Sequence, residues 1–330
     1  MPPGLDTRLR RYSTTGRRHP GRYSTTGTDS TTGGRARAVS EGIVRVEGVP
    51  ETLRIASVNV NGIRASVRNG MLGWLDTAAV DVLTLQEVRA ETTHIESLLP
   101  GWHIVHDEAA AKGRAGVAVL TREPVAAVRT TLGGDDVDSQ GRWIEADLEI
   151  GGERLTVVSA YVHSGEADTP RQVAKYGFLD AMSERMPQLA AGGALALVTG
   201  DLNVGHRERD IKNWRGNVKK AGFLPRERAY FDRFFGEEGA EIVGVDGSVG
   251  PGLGWVDVGR RFHGEVEGPY TWWSNRGQAF DNDTGWRIDY HVATPALAER
   301  VRDYRVARAA SYAERWSDHA PVVVDYAIGR

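Results

Sequence analysis

From Leu53 onward, short β-rich runs alternate with helical stretches, and this alternation restricts the chain to an α/β fold. The runs at 53–60, 82–86, 116–121, 155–161 and 194–199 have the length and apolar density of buried strands, although periodicity alone also admits buried helix. Helices are expected near 66–79 and 171–190. Polar residues follow the strand-like runs at once: Asn59 and Asn61, Glu87, Tyr161, then Asp201 and Asn203. Side chains at strand ends can converge on one cleft. The alternating region defines a candidate single domain over 53–328.

Before that region the composition is different. Residues 1–40 carry eight Arg against Asp6 and Asp29, a net charge of +6 in a chain whose formal net charge is −3. The same stretch repeats Arg-Tyr-Ser-Thr-Thr-Gly, beginning at Arg11 and again at Arg22, and has almost no aliphatic residues to build a core. Residues 1–45 are therefore expected to be a disordered basic tail. It reads either as an arm attracted to DNA phosphates or as a dispensable leader, including a start assigned too far upstream. No apolar run approaches the roughly 18–20 residues of a membrane helix. The arginine-rich N-terminus has no apolar segment of a secretory signal, so export by that route is not expected. The absence of cysteine excludes disulfides, thiolate metal sites and a cysteine nucleophile, and it fits a cytoplasmic location.

Three short segments carry candidate chemistry. Asp201 and Asn203, two residues apart on an extended segment, point the same way. They can hold an attacking water between carboxylate and amide, or form the turn at a strand end. Glu87 ends an apolar strand, where a carboxylate is solvated, paired or bound to a hard cation; magnesium needs only one or two such groups. Asp318 and His319 lie just before the apolar run 322–324, at the start of an expected strand. A histidine there can stabilise a phosphoryl transition state if a second group, for which Asp289 is available, fixes its tautomer. The alternative is a hydrogen-bonded core histidine.

The segments Ser57-Val58-Asn59-Val60-Asn61-Gly62-Ile63-Arg64, Leu85-Gln86-Glu87, Gly200-Asp201-Leu202-Asn203, Gly285-Trp286-Arg287-Ile288-Asp289-Tyr290 and Ser317-Asp318-His319 occur in one order. In that order they resemble exonuclease III and related abasic endonucleases. Phe223-Leu224-Pro225-Arg226-Glu227-Arg228, Thr271-Trp272-Trp273 and Ala279-Phe280-Asp281 are similar to the bacterial branch. The resemblance spans about 53–328. It implies a four-layered α/β sandwich of the deoxyribonuclease-I-like kind, two packed mixed sheets with helices outside. It further implies that Glu87 binds metal with Asn61 and Asp318 nearby, and that Asp201 orients or deprotonates water with support from Asn203. His319, held by Asp289, would contact the scissile phosphate; Asn59 would brace the group. Tyr161 would contact phosphate or aid the leaving oxygen, and Arg287 would be structural.

One departure follows Tyr161, where Val162-His163-Ser164-Gly165-Glu166 replaces the family's usual Pro and Asn or Gln with His163 and Ser164. An amide that would contact phosphate is absent, which leaves the balance of endonuclease and exonuclease activity open. His163 reads as a phosphate contact or a surface-loop histidine.

The substrate is argued from other segments. Between positions 207 and 228 there are eight basic residues against three acidic ones. Arg207, Lys212, Arg215, Lys219 and Lys220, with Trp214 among them, are candidate DNA contacts; a solvated charged loop is the alternative. The resemblance implies that Trp272, Trp286 and Ile288 close a pocket on a flipped-out abasic sugar, although one of the adjacent Trp272 and Trp273 is expected in the core. Together these readings give a magnesium-dependent, manganese-tolerant DNA phosphodiesterase. It would cut 5′ of abasic sites, trim 3′ ends of double-stranded DNA, and act as a monomer without a membrane. The rival readings are a same-fold enzyme acting on a non-nucleic-acid phosphate ester and a non-catalytic DNA-binding relative.

Overall fold

The central strands of the observed fold bury residues on both of their faces. In the computed structural model, residues 52–329 are described, apart from 135, 136 and 138. The expectation for residues 1–45 lies outside them. The chain begins with β1 (Thr52–Asn59), α1 (Ile63–Arg68), α2 (Met71–Ala78), β2 (Val82–Gln86), α3 (Thr92–Leu98), β3 (His103–Asp107) and β4 (Val117–Thr121). It continues through β5 (Val125–Arg129), β6 (Trp143–Ile150), β7 (Glu153–Tyr161), α4 (Pro170–Ala190), β8 (Leu195–Asp201) and α5 (Pro225–Phe234). The last part holds β9 (Glu241–Val243), β10 (Val249–Pro251), β11 (Val256–Asp257), α6 (Val258–His263), β12 (Asp289–Ala293), α7 (Pro295–Ala298), β13 (Val301–Val306) and β14 (Val322–Ala327).

The helix expected over 66–79 is two helices. Gly70, at φ 115°, breaks the α-helical path between them, and α1 starts earlier than expected, at Ile63. The helix expected over 171–190 is α4, whose first residue is Pro170, where its missing N–H leaves no helical bond unmade.

Two six-stranded mixed sheets run β13-β14-β1-β2-β4-β3 and β11-β12-β8-β7-β6-β5. β1 and β2 are parallel, as are β7 and β8, and the other named pairs in these sheets are antiparallel. Between the sheets, Ile55, Val82, Val119, Val157, Leu197 and Val324 form one core. Residues one position along face outward: Val58, Leu83 and Leu85 pack with Ile63, Met71 and Ile95 of the first three helices. Val158, Ala160 and Val198 pack with Phe178, Met182 and Phe231 of α4 and α5. This is the four-layered α/β sandwich that the resemblance implied. No helix among the described residues is long and apolar enough to cross a membrane.

The register places the chemistry. The parallel pairs end level with each other, Asn59 opposite Gln86 and Tyr161 opposite Asp201, while antiparallel β12 begins with Asp289 opposite Asp201. Four strand C-termini and the start of β12 thus share one edge of the sandwich.

Candidate active site

At that edge the backbone turns sharply. Asn61, Glu87 and Asn203, each one or two residues past a strand, are left-handed with φ of 46°, 49° and 52°. Asn tolerates this region, whereas for Glu87 it costs about 1–2 kcal/mol, which surrounding hydrogen bonds must offset. The Glu87 carbonyl accepts from Gly62 N at 2.8 Å, and the next two amides donate to Gly116 O and Ala115 O at 3.0 and 2.9 Å.

The side chains so aimed form one connected network. Asn59 Nδ2 donates to Glu87 Oε1 at 3.0 Å and to Asp201 Oδ2 at 2.9 Å. Tyr161 OH donates to Glu87 Oε1 at 2.7 Å. Asn203 gives its backbone N–H to Asp201 Oδ1 at 3.0 Å and its side-chain amide to Asp201 Oδ2 at 3.2 Å and Val162 O at 2.9 Å. On the opposite side, Asn61 Nδ2 and Trp272 Nε1 donate to the two oxygens of Asp318 at 2.9 and 3.1 Å. His319 Nδ1 meets Asp289 Oδ2 at 2.9 Å, and its Nε2 lies 3.8 Å from Asp201 Oδ2.

Electrostatics divide these groups. Burial opposes a charge on His319, but Asp289 and Asp201 outweigh it and raise its pKa well above the usual imidazole value. Burial pushes the Asp201 carboxyl up, with the His319 charge working against that. For Asp318 burial also pushes upward, but the His319 charge and the Trp272 and Asn61 donors hold it below the usual carboxylate range. Burial, with Glu87 and Asp201 adding to it, raises the Tyr161 hydroxyl far above its ordinary value, so it stays a neutral donor.

Asp201, Asp289 and His319 place ligand atoms within 4.8 Å of one another, a group that could hold a metal ion. An imidazole kept protonated and bound to a carboxylate through Nδ1 has no free lone pair, which makes this trio the poorer donor set. Glu87, Asn61 and Asp318, all on the cleft, offer oxygen atoms of the kind a hard cation takes. Glu87, Asp201 and Asp318 line the cleft and Asp289 lies buried behind His319, against two cationic groups, Arg89 and His319. That surplus of negative charge fits a divalent cation and, without one, repels a phosphate.

The cleft, of about 480 Å³, is also lined by Tyr161, Ser164, Trp272, Trp286 and Ile288. Trp272 and Trp286 meet edge to face at 5.9 Å, while Trp273 is buried against Phe280, so the adjacent pair divides between cleft and core as expected. Arg287 is structural: fully buried, it pairs with Asp210 at 2.7 Å and Asp257 at 2.6 Å. These contacts fasten the basic segment behind β12. Within that segment Arg207 pairs with Asp232 at 3.2 Å and Lys212 with Glu267 at 2.5 Å. Arg215, stacked on Trp214 at 4.7 Å, and Lys219 and Lys220 are exposed.

One expectation is corrected. His163 is neither a surface-loop residue nor a lining residue of the cleft; its ring is buried edge-on against Phe178 at 5.7 Å, because the turn after Tyr161 folds it onto α4. The sequence reading also missed Arg89, which pairs with Glu87 in the cleft, and Thr271, which donates to Asp289 Oδ2 at 2.6 Å. Arg89, two residues after the motif's Glu87, was open to detection. Thr271, eighteen residues from its partner, had no local signal.

The sequence pattern of the endonuclease/exonuclease/phosphatase family matches residues 56–319. The exodeoxyribonuclease of Bacillus subtilis is 30% identical over 271 residues, covering 82% of this chain and 98% of its own. The DNA repair nuclease APEX1 of Danio rerio is 27% identical over 303 residues, covering 87% and 86%. An AP endonuclease structure from Archaeoglobus fulgidus superposes with a TM-score of 0.68 at 28% identity, covering 83% and 99% of the two chains. The 3′ phosphatase NExo from Neisseria, bound to a product DNA hairpin, gives 0.69 at 27% identity and the same coverage.

Proposed function

We propose that this chain, which belongs to the endonuclease/exonuclease/phosphatase family, is an exodeoxyribonuclease III-like DNA phosphodiesterase that hydrolyses the bond 5′ of abasic sites and trims 3′ ends. The observation that carries this reading is the opposition of Asp201 and His319, 3.8 Å apart at the rim of a carboxylate-rich cleft. Asp201, held on both oxygens by Asn59 and Asn203, orients a water and takes its proton. His319, kept protonated by Asp289, presents Nε2 to a phosphate oxygen where charge grows. Tyr161 supplies a neutral hydroxyl beside the leaving oxygen. Glu87, Asn61 and Asp318 would hold magnesium, for which manganese can substitute, and the ion when bound stabilises charge on the phosphate. The products of abasic cleavage are a 3′-hydroxyl and a 5′-deoxyribose phosphate.

Duplex DNA is the substrate this reading favours. Arg215, Lys219 and Lys220, exposed beside Trp214, are free to neutralise backbone phosphates. Arg207 and Lys212, already paired with Asp232 and Glu267, contribute less than their charge alone implies. Trp272, Trp286 and Ile288 form an apolar wall that suits an extrahelical sugar lacking its base. Residues 53–328 would be the whole catalytic domain, acting as a monomer.

The test is cleavage of a labelled duplex with one abasic analogue, beside an undamaged recessed-end duplex, with magnesium or chelator. Metal-dependent incision 5′ of the lesion is expected. End trimming alone would make the enzyme chiefly an exonuclease, and inertness toward both duplexes would contradict the reading.

A further inference from the structure

Behind the cleft, Lys175 of α4 is completely buried, and nothing in the chemistry above uses it. Its ammonium lies 2.7 Å from Glu227 Oε1, 2.8 Å from Asn203 O and 3.3 Å from Ser164 O. Three N–H donors thus meet three oxygens. Glu227, equally buried, also accepts Gln172 Nε2 and Leu224 N, each at 2.9 Å. Such a pair does little for stability, because desolvating two charges offsets most of their attraction. What it holds is more informative.

Asn203 and Ser164 both line the cleft but follow different strands, β8 and β7. Fixing the Asn203 carbonyl fixes the peptide after a left-handed residue, and with it the aim of the amide that reaches Asp201. Ser164 is held from the same ammonium. Gly165 packs directly on this anchor: a Cβ there would lie 2.5 Å from Gln172 Oε1 and 3.0 Å from Lys175 Cδ.

We propose that Lys175, anchored by Glu227, is a positioning residue that ties the loops after β7 and β8 together and so sets the Asn203 amide and the Ser164 segment around the substrate phosphate. Its catalytic consequence rests on the nuclease reading; its geometry does not.

The test is the double variant Lys175→Met/Glu227→Gln, which removes both buried charges together and keeps an oxygen for Leu224 N. On the abasic duplex kcat should fall about 30-fold or more, with KM changing less than about threefold, as expected when a transition-state contact is misaligned. The 15N signals of the Asn203 side-chain amide should shift or broaden. In an Asn203→Ala background the same pair of changes should lower kcat by clearly less than in the wild type, because only the part that acts through the Ser164 segment remains. Undisturbed amide signals with kcat near wild type in the folded variant would overturn the proposal, as would full additivity with Asn203→Ala. If the double variant does not fold, the wild-type Lys175 ammonium signal decides: it should move when an uncleavable abasic duplex fills the cleft, and a fixed signal in the bound state would overturn the proposal. Wild-type protein inert on DNA would sink the nuclease reading instead, leaving the amide signals to decide the positioning.

Discussion

The space between the two sheets has an apolar end and a polar end, built by the same strands. Read along the inward-facing positions, β1 passes from Leu53 and Ile55 to Ser57 and Asn59, β7 from Leu155 and Val157 to Ser159 and Tyr161, and β8 from Leu195 and Leu197 to Thr199 and Asp201. In the middle, hydroxyls and amides bond across the gap: Thr84 to Thr199 at 2.8 Å and Gln86 to Ser159 at 3.0 Å. The apolar end gains stability from area removed from water. The polar end crowds Asp201, Asp289 and His319 into a buried space, an arrangement that stability alone does not favour. Folding free energy and chemistry are therefore drawn from opposite ends of one interior.

The largest expected effect breaks the polar end. Asp201→Asn should lower cleavage by about a thousandfold or more, since it removes the proton acceptor. Its melting temperature should hold or rise, because a buried carboxylate beside Asp289 and Glu87 is neutralised. A variant with near wild-type turnover would remove Asp201 from the chemistry. Leu197→Ala, at the other end, should cost about 2–5 kcal/mol in denaturant unfolding while kcat per folded molecule stays unchanged. Loss of kcat without loss of stability would erase the division.

His291 sharpens the boundary between the two ends. It stacks on Tyr326, its Nδ1 3.1 Å from the hydroxyl, and burial depresses its pKa to about 3 from 6.5. Because the folded pKa is the lower one, the unfolded chain binds the extra proton. The stabilisation is full above about pH 6.5 and is lost as pH falls from there toward about 3. Between pH 7.5 and pH 5 the His291 contribution should fall by about 2 kcal/mol, so the stability of the wild type relative to His291→Phe should drop by about that much. Equal slopes in the two proteins would locate the acid sensitivity elsewhere. Trp272→Phe, the smallest change, keeps a ring in the cleft and removes the donor to Asp318, so abasic cleavage should change only a few-fold.

The gradient along each strand was legible in the sequence, because inward positions recur every second residue and their change from Leu, Ile and Val to Ser, Thr, Asn and Asp can be read directly. The strand-end residues Glu87, Asp201 and Asn203 were legible for the same reason. What was hidden depends on pairs far apart in the chain. The carboxylates that neutralise Lys212 and Arg207 lie 55 and 25 residues away, so a segment that reads as a basic run is in part an ion-paired scaffold. Lys175 looks like an ordinary charge on a helix until α5 brings Glu227 beneath it. The left-handed turn at Glu87 is held by hydrogen bonds to neighbouring segments, which no local propensity encodes.

On the proposed reading the oxygen ligands around Glu87, and not the acid and imidazole group behind them, would hold the cation that cleavage requires. The most direct measurement is abasic-duplex cleavage against magnesium concentration for wild type and Glu87→Gln. The half-saturating magnesium concentration should be at least about tenfold higher in the variant, consistent with a ligand lost from a site of few carboxylates. An unchanged magnesium dependence would place the cation away from Glu87.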